Sequence, residues 1–265
     1  MTRLLPALWA HRGFIVGSIR REFQAGYRNS LLGAAWTLLN PLAMVVVYTV
    51  VFSQIMQARL PGVGDSFAYG IYLCAGIFSW TLFADITGRC RDIFLANANL
   101  LKKLNFPRLS LPLIVAGSAL LNFAIIFTLL LVLIPLLTGG FPGWPLVGLL
   151  PVLLVQVALA LGLGITVGVL NVFFRDVGQF FTILLQFWFW LTPIVYPLSI
   201  IPEKYRWVFA FNPLTSLIGA HQRVLVYGSW PEWSTMLPAL GAALLFCVMG
   251  FYLFRRHAGE MVDEL

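Results

Sequence analysis

Ten acidic residues are spread through this 265-residue chain, and one of them, Asp85, stands inside a long apolar stretch. General acid–base or metal-assisted chemistry needs two or more ionisable groups converging on one pocket, and a proton-driven carrier needs a carboxylate at membrane depth. Arg89 follows Asp85 by one helical turn near the end of the stretch, so the two read as an interfacial ion pair. The other nine acids, Glu22, Asp65, Asp92, Asp176, Glu203, Glu232, Glu260, Asp263 and Glu264, fall between the apolar runs and form no catalytic constellation.

The remaining reactive side chains are equally scattered. Cys74, Cys90 and Cys247 are spaced for neither a disulfide framework nor a metal knuckle, and His11, His221 and His257 lie in separate segments, so no metal site is expected. None of the lysines, Lys102, Lys103 and Lys204, sits in a G-x-x-x-x-G-K-[ST] phosphate loop. The chain is therefore not expected to be an enzyme by itself or to bind a cofactor, and any energy it uses must come from another chain.

One stretch does carry a concentrated polar signal. "NANLLKKLNFPRLSLP", residues 97–112, sets Lys102 and Lys103 ahead of Phe106, Pro107 and Arg108 before apolar residues resume. A short helix stopped by Pro107 would present Leu100, Leu101, Lys102, Lys103 and Phe106 on a compact surface. Read alone, it is either a docking surface or a turn whose charge sets topology.

The elements around it follow from composition. With 60% hydrophobic and 10% charged residues and a mean hydropathy of +0.89, the solvent for most of the chain is a bilayer. A crossing helix needs about 20 apolar residues for a core about 30 Å thick. Charge-free runs place six spans near 31–56, 67–88, 109–137, 144–174, 177–196 and 236–254, with "TGGFPGWP" (138–145) dividing the longest run in two. Period-two alternation is missing, so the fold is expected to be all-α and integral to the membrane, in one domain over 1–265.

Thirteen of the 17 Lys and Arg residues fall on one side of this topology, which places both termini in the cytoplasm and accounts for the net charge of +7 without nucleic acid. Before the first span, Leu5, Leu8, Trp9, Ile15, Val16, Ile19, Phe23 and Tyr27 share a helical face with Arg20, Arg21 and Arg28 turned away, as in a helix lying at the interface. Arg12 interrupts that face, and a solvated basic tail is the alternative.

Between the fifth and sixth spans, apolar pieces broken by Pro202, Pro213 and Gly228 are too short to cross. They suit two short re-entrant helices within 200–228, or a plain surface loop. Aromatics make up 15% of the chain; Tyr48, Phe52, Tyr72, Phe78, Trp80, Phe83, Phe187, Trp188 and Trp190 serve either a sugar-gripping channel or the interfacial belt and packing. Arg175 and Asp176 form a tight turn in which Asp176 can cap the fifth span. "GLGITVG" (162–168) permits close helix contact.

Five segments, "YRNSLLGAAWTLLNPLAMVVVYTVVFSQ" (27–54), "NANLLKKLNFPR" (97–108), "VFFRDVGQ" (172–179), "LTPIVYP" (191–197) and "FNPLTSLIGAHQRVLVYG" (211–228), occur in an order that resembles the membrane subunit of bacterial ATP-binding-cassette exporters of polysaccharides. The resemblance covers nearly the whole chain. It implies a homodimeric six-span permease paired with two copies of a cytoplasmic ATPase that binds ATP and Mg, exporting a lipid-linked polysaccharide such as O-antigen, capsule or teichoic acid across the inner membrane. It further implies that 97–108, including Asn97 and Arg108, is the coupling helix and that the elements around Pro193, Tyr196, Pro197, Asn212 and Pro213 gate the external mouth. A permease of the same architecture for drugs or small lipids, or a non-ABC membrane protein of glycan assembly, is the alternative.

Overall fold

The computed structural model describes residues 11–25, 35–48, 50–52, 60, 67–103 and 108–264, and every regular element among them is helical. In chain order these are α1 (Arg12–Ala25), α2 (Trp36–Tyr48), α3 (Ala68–Ala96), α4 (Ala98–Lys103), α5 (Ser110–Thr138), α6 (Leu149–Phe173), α7 (Asp176–Trp190), α8 (Glu203–Phe211), α9 (Pro213–Tyr227), α10 (Leu237–His257) and α11 (Glu260–Glu264). Tight helical turns at Trp144–Gly148 and Trp233–Met236 lead into α6 and α10. Helices prevail because only a helix satisfies all its backbone groups within one apolar segment.

Four segments are long and apolar enough to cross a bilayer: Ala68–Ala96, Ser110–Thr138, Trp144–Phe173 and Trp233–His257. They coincide with the expected second, third, fourth and sixth spans. The expected first span contains α2, whose flanks lie outside the described residues. The expected fifth span, 177–196, stops being helical at Trp190. Its 15 residues reach about 22 Å at 1.5 Å per residue, short of a core about 30 Å thick. Pro193 has no N–H for the helical ladder and disfavours helical geometry in the residue before it, which is why the chain unwinds here.

Helix α3 is the hub. In its apolar stretch 78% of residues are buried, against 17–44% in the other three crossing segments. It packs on α5, α6 and α9, while α10 lies along the other side of α6. At 29 residues α3 is about 44 Å long, so it outruns the hydrocarbon, and the charged Asp85, Arg89, Arg91 and Asp92 occupy its later turns.

The "GLGITVG" glycines are consumed within the chain. A Cβ on Gly162 would lie 2.5 Å from the Cys247 amide nitrogen of α10, and one on Gly250 would lie 2.7 Å from the Gly162 carbonyl, so the two backbones meet glycine to glycine. Gly164 and Gly168 accept Cys90 and Phe94 of α3 in the same way. Such close approach maximises dispersion contact where lipid offers no hydrophobic drive to associate.

At the N-terminal end, Ile19 of α1 fills the notch left by Gly117 of α5. Glu22, an acid in an otherwise basic helix, pairs with Arg89 and accepts a 2.8 Å bond from Ser118. Val16, on the face expected to lie against the membrane interface, is 64% exposed on the outside of the bundle. The face that packs on the bundle is the one carrying Ile19 and Glu22.

Replacing Gly162 by Val should lower stability by about 1–3 kcal/mol through overpacking against immovable backbone. Gly88→Ala, whose Cβ meets nothing within 4 Å, should not. Thermal unfolding of the detergent-solubilised protein distinguishes the two.

Candidate functional site

Two regions of the bundle carry polar organisation beyond its helices. The first is the stretch after α7. Residues 191–197 are irregular, and Thr192, Pro193 and Ile194 are buried. Their carbonyls need donors that no helix supplies, and the donors arrive from elsewhere. The Tyr69 hydroxyl donates to the Val195 carbonyl at 2.9 Å, and the Tyr72 hydroxyl is shared between those of Tyr196 at 3.2 Å and Pro193 at 3.4 Å. Gln222 Nε2 donates to the Ile194 carbonyl at 3.2 Å, and Asn212 Nδ2 to that of Leu191 at 3.1 Å. The Ile194 amide reaches the Thr192 carbonyl, and the Tyr196 hydroxyl reaches that of Trp190. All seven carbonyls from Trp190 to Tyr196 are thereby bonded.

Asn212 is the junction. Its side-chain oxygen caps α9 through the Leu214 amide at 3.1 Å and accepts the indole N–H of Trp188 at 2.9 Å, and its Nδ2 also reaches Thr192. Pro213 opens α9 at its first position, where a missing N–H costs nothing. Gly76 lets α3 come this close: a Cβ there would sit 2.7 Å from Gln222 Nε2 and 3.1 Å from the Ile194 carbonyl. One helical turn on, buried Ser79 contacts both Gln156 of α6 and His221 of α9.

Between α8, α9 and the start of α10 lies a cavity of about 760 Å³, lined among others by Pro197, Arg206, Ser216 and Arg223. Arg223 pairs with Glu232 across one wall.

The expected channel aromatics divide by environment. Phe83 is fully buried edge-to-face against Trp188, and Phe78 and Tyr72 are buried within the bundle. Phe52 stacks on Tyr69 at 5.6 Å, with Tyr48 beside it. Trp80, Phe187 and Trp190 line a cavity of about 600 Å³, where Phe189 joins them edge-on to Trp80 at 5.5 Å, and Tyr72, though buried, borders the cavity of about 760 Å³. A mixed row such as "FWFW" cannot say which ring turns inward.

The second region is the far end of α3. Asn97 breaks that helix, bonding the Ile93 carbonyl through its own Nδ2 at 2.8 Å, and α4 begins directly after it. Leu101 is buried in a small apolar cluster with Phe94, Leu111, Phe254 and Met261, so it anchors α4 to the bundle, while Lys102 is exposed. Arg108 donates to the Ala258 carbonyl beyond α10. Phe106, Pro107 and the side chain of Lys103 lie outside the described residues.

Beside α4, Arg91 bonds Asp92, Thr182 and the Gly178 carbonyl. Asp176 makes no capping bond to α7. The neighbouring helix does that work, since Asn171 Oδ1 accepts from the Gly178 amide at 3.0 Å and Asn171 Nδ2 reaches the Arg91 carbonyl. A Cβ on Gly178 would lie 2.5 Å from Asn171 Oδ1, so any larger residue there must displace the capping side chain. Asn171 looks like one more polar residue near a helix end in the sequence, and only the α6–α7 turn brings it to the amide. Asp85 and Arg89 are indeed paired, at 3.6 Å, with Glu22 as a third member that sequence spacing could not supply.

Among the described residues no three His, Cys, Asp or Glu side chains gather as a metal set. What the geometry defines is a polytopic helical membrane protein with a clasped irregular segment toward one end and a short helix off the other. Residues 15–225 match the ABC-2 type transporter family, and the chain belongs to it. It is 31% identical over 261 residues to the O-antigen export system permease protein RfbA of Myxococcus xanthus, covering 97% of this chain and 98% of that one. It is 29% identical over 238 residues to the protein of that name from Klebsiella pneumoniae, 89% and 88% of the two chains. Similarity to the polysialic acid transport protein KpsM of Escherichia coli is 22% over 247 residues, 92% and 93% of the chains.

Removing the Tyr72 hydroxyl by Tyr72→Phe should take the donor from the partly buried Tyr196 carbonyl and leave that of Pro193 with only Gln222 Nε2 at 3.5 Å, costing about 1–3 kcal/mol. Hydrogen exchange in 191–197 should then speed up by about tenfold or more, since about 1.4 kcal/mol is one decade. Exchange elsewhere in α3 should change far less.

Proposed function

We propose that this chain is the permease half of an ATP-driven exporter that moves a lipid-linked, O-antigen-like polysaccharide outward across a bacterial inner membrane. One observation carries the reading: likeness along 97% of the chain to a protein named as an O-antigen export permease. The absence of a phosphate-binding loop from the sequence agrees with a division of labour in which a separate cytoplasmic ATPase, in two copies, binds ATP and Mg and supplies the work.

In this reading α2 and the region of α7 complete six spans, and two copies of the chain enclose the passage. The Lys and Arg distribution puts both termini and α4 in the cytoplasm. Helix α4, with the rest of Asn97–Arg108, is the element on which the ATPase acts. Lys102, exposed, supplies a charged contact to the ATPase, and Leu101, buried, passes displacement into the bundle. Trp80, Phe187 and Trp190, with Phe189, grip sugar rings weakly enough for sliding. The clasped segment with α8 and α9 forms the external gate, where Pro193, Tyr196 and Pro197 shape the irregular backbone and Asn212 and Pro213 set the start of α9.

The test is co-expression with the cassette ATPase, reading surface polysaccharide and ATP turnover. Lys102→Glu, on an exposed position, should leave membrane insertion unchanged and reduce export by about tenfold, the effect of about 1.4 kcal/mol lost from coupling. Export that continues without nucleotide hydrolysis overturns the reading.

A further inference from the structure

The cavity between α8, α9 and the start of α10 is not explained by packing alone. Its volume of about 760 Å³ falls within the range of about 300–1,000 Å³ typical of small-molecule sites. Hydroxyl-bearing residues recur along its wall, with Ser199, Ser216, Ser234 and Thr235 among them. Thr215, another lining residue, has a buried hydroxyl without a hydrogen-bond partner among the described residues. The paired Arg223 and Glu232 set donors and acceptors side by side, and the half-exposed Tyr227 adds an aromatic ring.

We propose that this cavity is a saccharide-binding site holding a short segment of the exported polymer; the assignment rests on the exporter reading above. A sugar offers closely spaced hydroxyls, each both donor and acceptor, and an apolar C–H face. The wall answers both: hydroxyls and the Arg223–Glu232 pair for the former, the Tyr227 ring for the latter. An acyl chain here would answer neither the unpartnered Thr215 hydroxyl nor the remaining hydrogen-bonding capacity of the Arg223–Glu232 pair, which is costly, while Ser216 and Thr235 already donate to the Pro213 and Glu232 carbonyls. A free phosphate would meet Glu232 beside Arg223, and Arg206 is already engaged by Glu203 and the Ile201 carbonyl.

Gly219 provides the handle. It lines the cavity, its backbone is helical, and a Cβ there meets nothing within 4 Å, so a side chain at this position starts into open space, and Gly219→Leu is the variant chosen to occupy the cavity. Gly241 of α10, also with nothing within 4 Å and not part of the lining, is the matched control. Ser234, exposed on the wall, is changed to Cys and labelled with a polar maleimide in the full permease–ATPase complex in nanodiscs, with labelling of the parent protein subtracted. The probe is polysaccharide released by mild acid from the cells that carry the protein.

Polysaccharide should slow labelling at S234C several-fold. Gly219→Leu should abolish that protection and lower export, whereas Gly241→Leu should preserve both. The inference is overturned if polysaccharide gives no protection, if protection survives Gly219→Leu, or if polyethylene glycol of similar mass protects equally. Surface polysaccharide and ATP turnover of the unmodified complex are read in parallel. An active exporter without protection sinks only this site, and an unmodified complex that moves no polysaccharide sinks the exporter reading.

Discussion

Seven consecutive backbone carbonyls, from Trp190 to Tyr196, lie outside any helical ladder and must find other hydrogen-bond donors, and at the buried Thr192, Pro193 and Ile194 each failure is costly. Much of the bundle's arrangement answers that demand. Tyr69 and Tyr72 bring α3 alongside the segment, Gln222 and Asn212 bring α9, and Gly76 removes the side chain that would hold them apart. The clasp ties three distant pieces of sequence into one unit, so the irregular stretch is rigidly supported rather than loose.

Helix α3 links this clasp to the opposite end of the molecule. Its first turns carry the tyrosines, its middle is buried among α5, α6 and α9, and its last turns carry the Arg89–Glu22 ion pair to α1 and the contacts to the α6–α7 turn. Asn97 then redirects the chain into α4 without an intervening loop. A packed helix of this length moves as a body, because close-packed interiors transmit displacement instead of absorbing it. Under the exporter reading, a push on α4 therefore reaches the clasp through one element, and α9 is its second attachment there through Gln222 and His221.

Much of this was legible in the residues because hydropathy reports burial in lipid directly. Charge-free runs located the ends of the four long crossing segments to within a few residues except at the end of α3, which continues eight residues beyond 88 through charged turns, and the glycine and proline cluster at 138–145 separates α5 from α6, with Gly139 and Gly143 at φ of +69° and +72°. Hydropathy counts apolar residues without regard to whether their backbone can continue as a helix, so the fifth run has the length of a full span although its helix ends at Trp190, ahead of Pro193. Capping of α7 was assigned to the adjacent Asp176, the local candidate, whereas Asn171 from the preceding helix performs it.

The sequence by itself determined the solvent, the helical class, the division into apolar segments and the Asp85–Arg89 pair, since each depends on composition or on neighbours within one turn. Tertiary structure alone decided which aromatic rings face a cavity, that the glycines of 162–168 are spent inside the chain, that Glu22 joins Arg89, and that Tyr72 and Gln222 serve a backbone more than a hundred and about thirty residues away, respectively. These outcomes depend on which helix faces join, and near-uniformly apolar helices carry little periodic signal to announce their partners. Close packing and the need to satisfy buried carbonyls supply that missing choice.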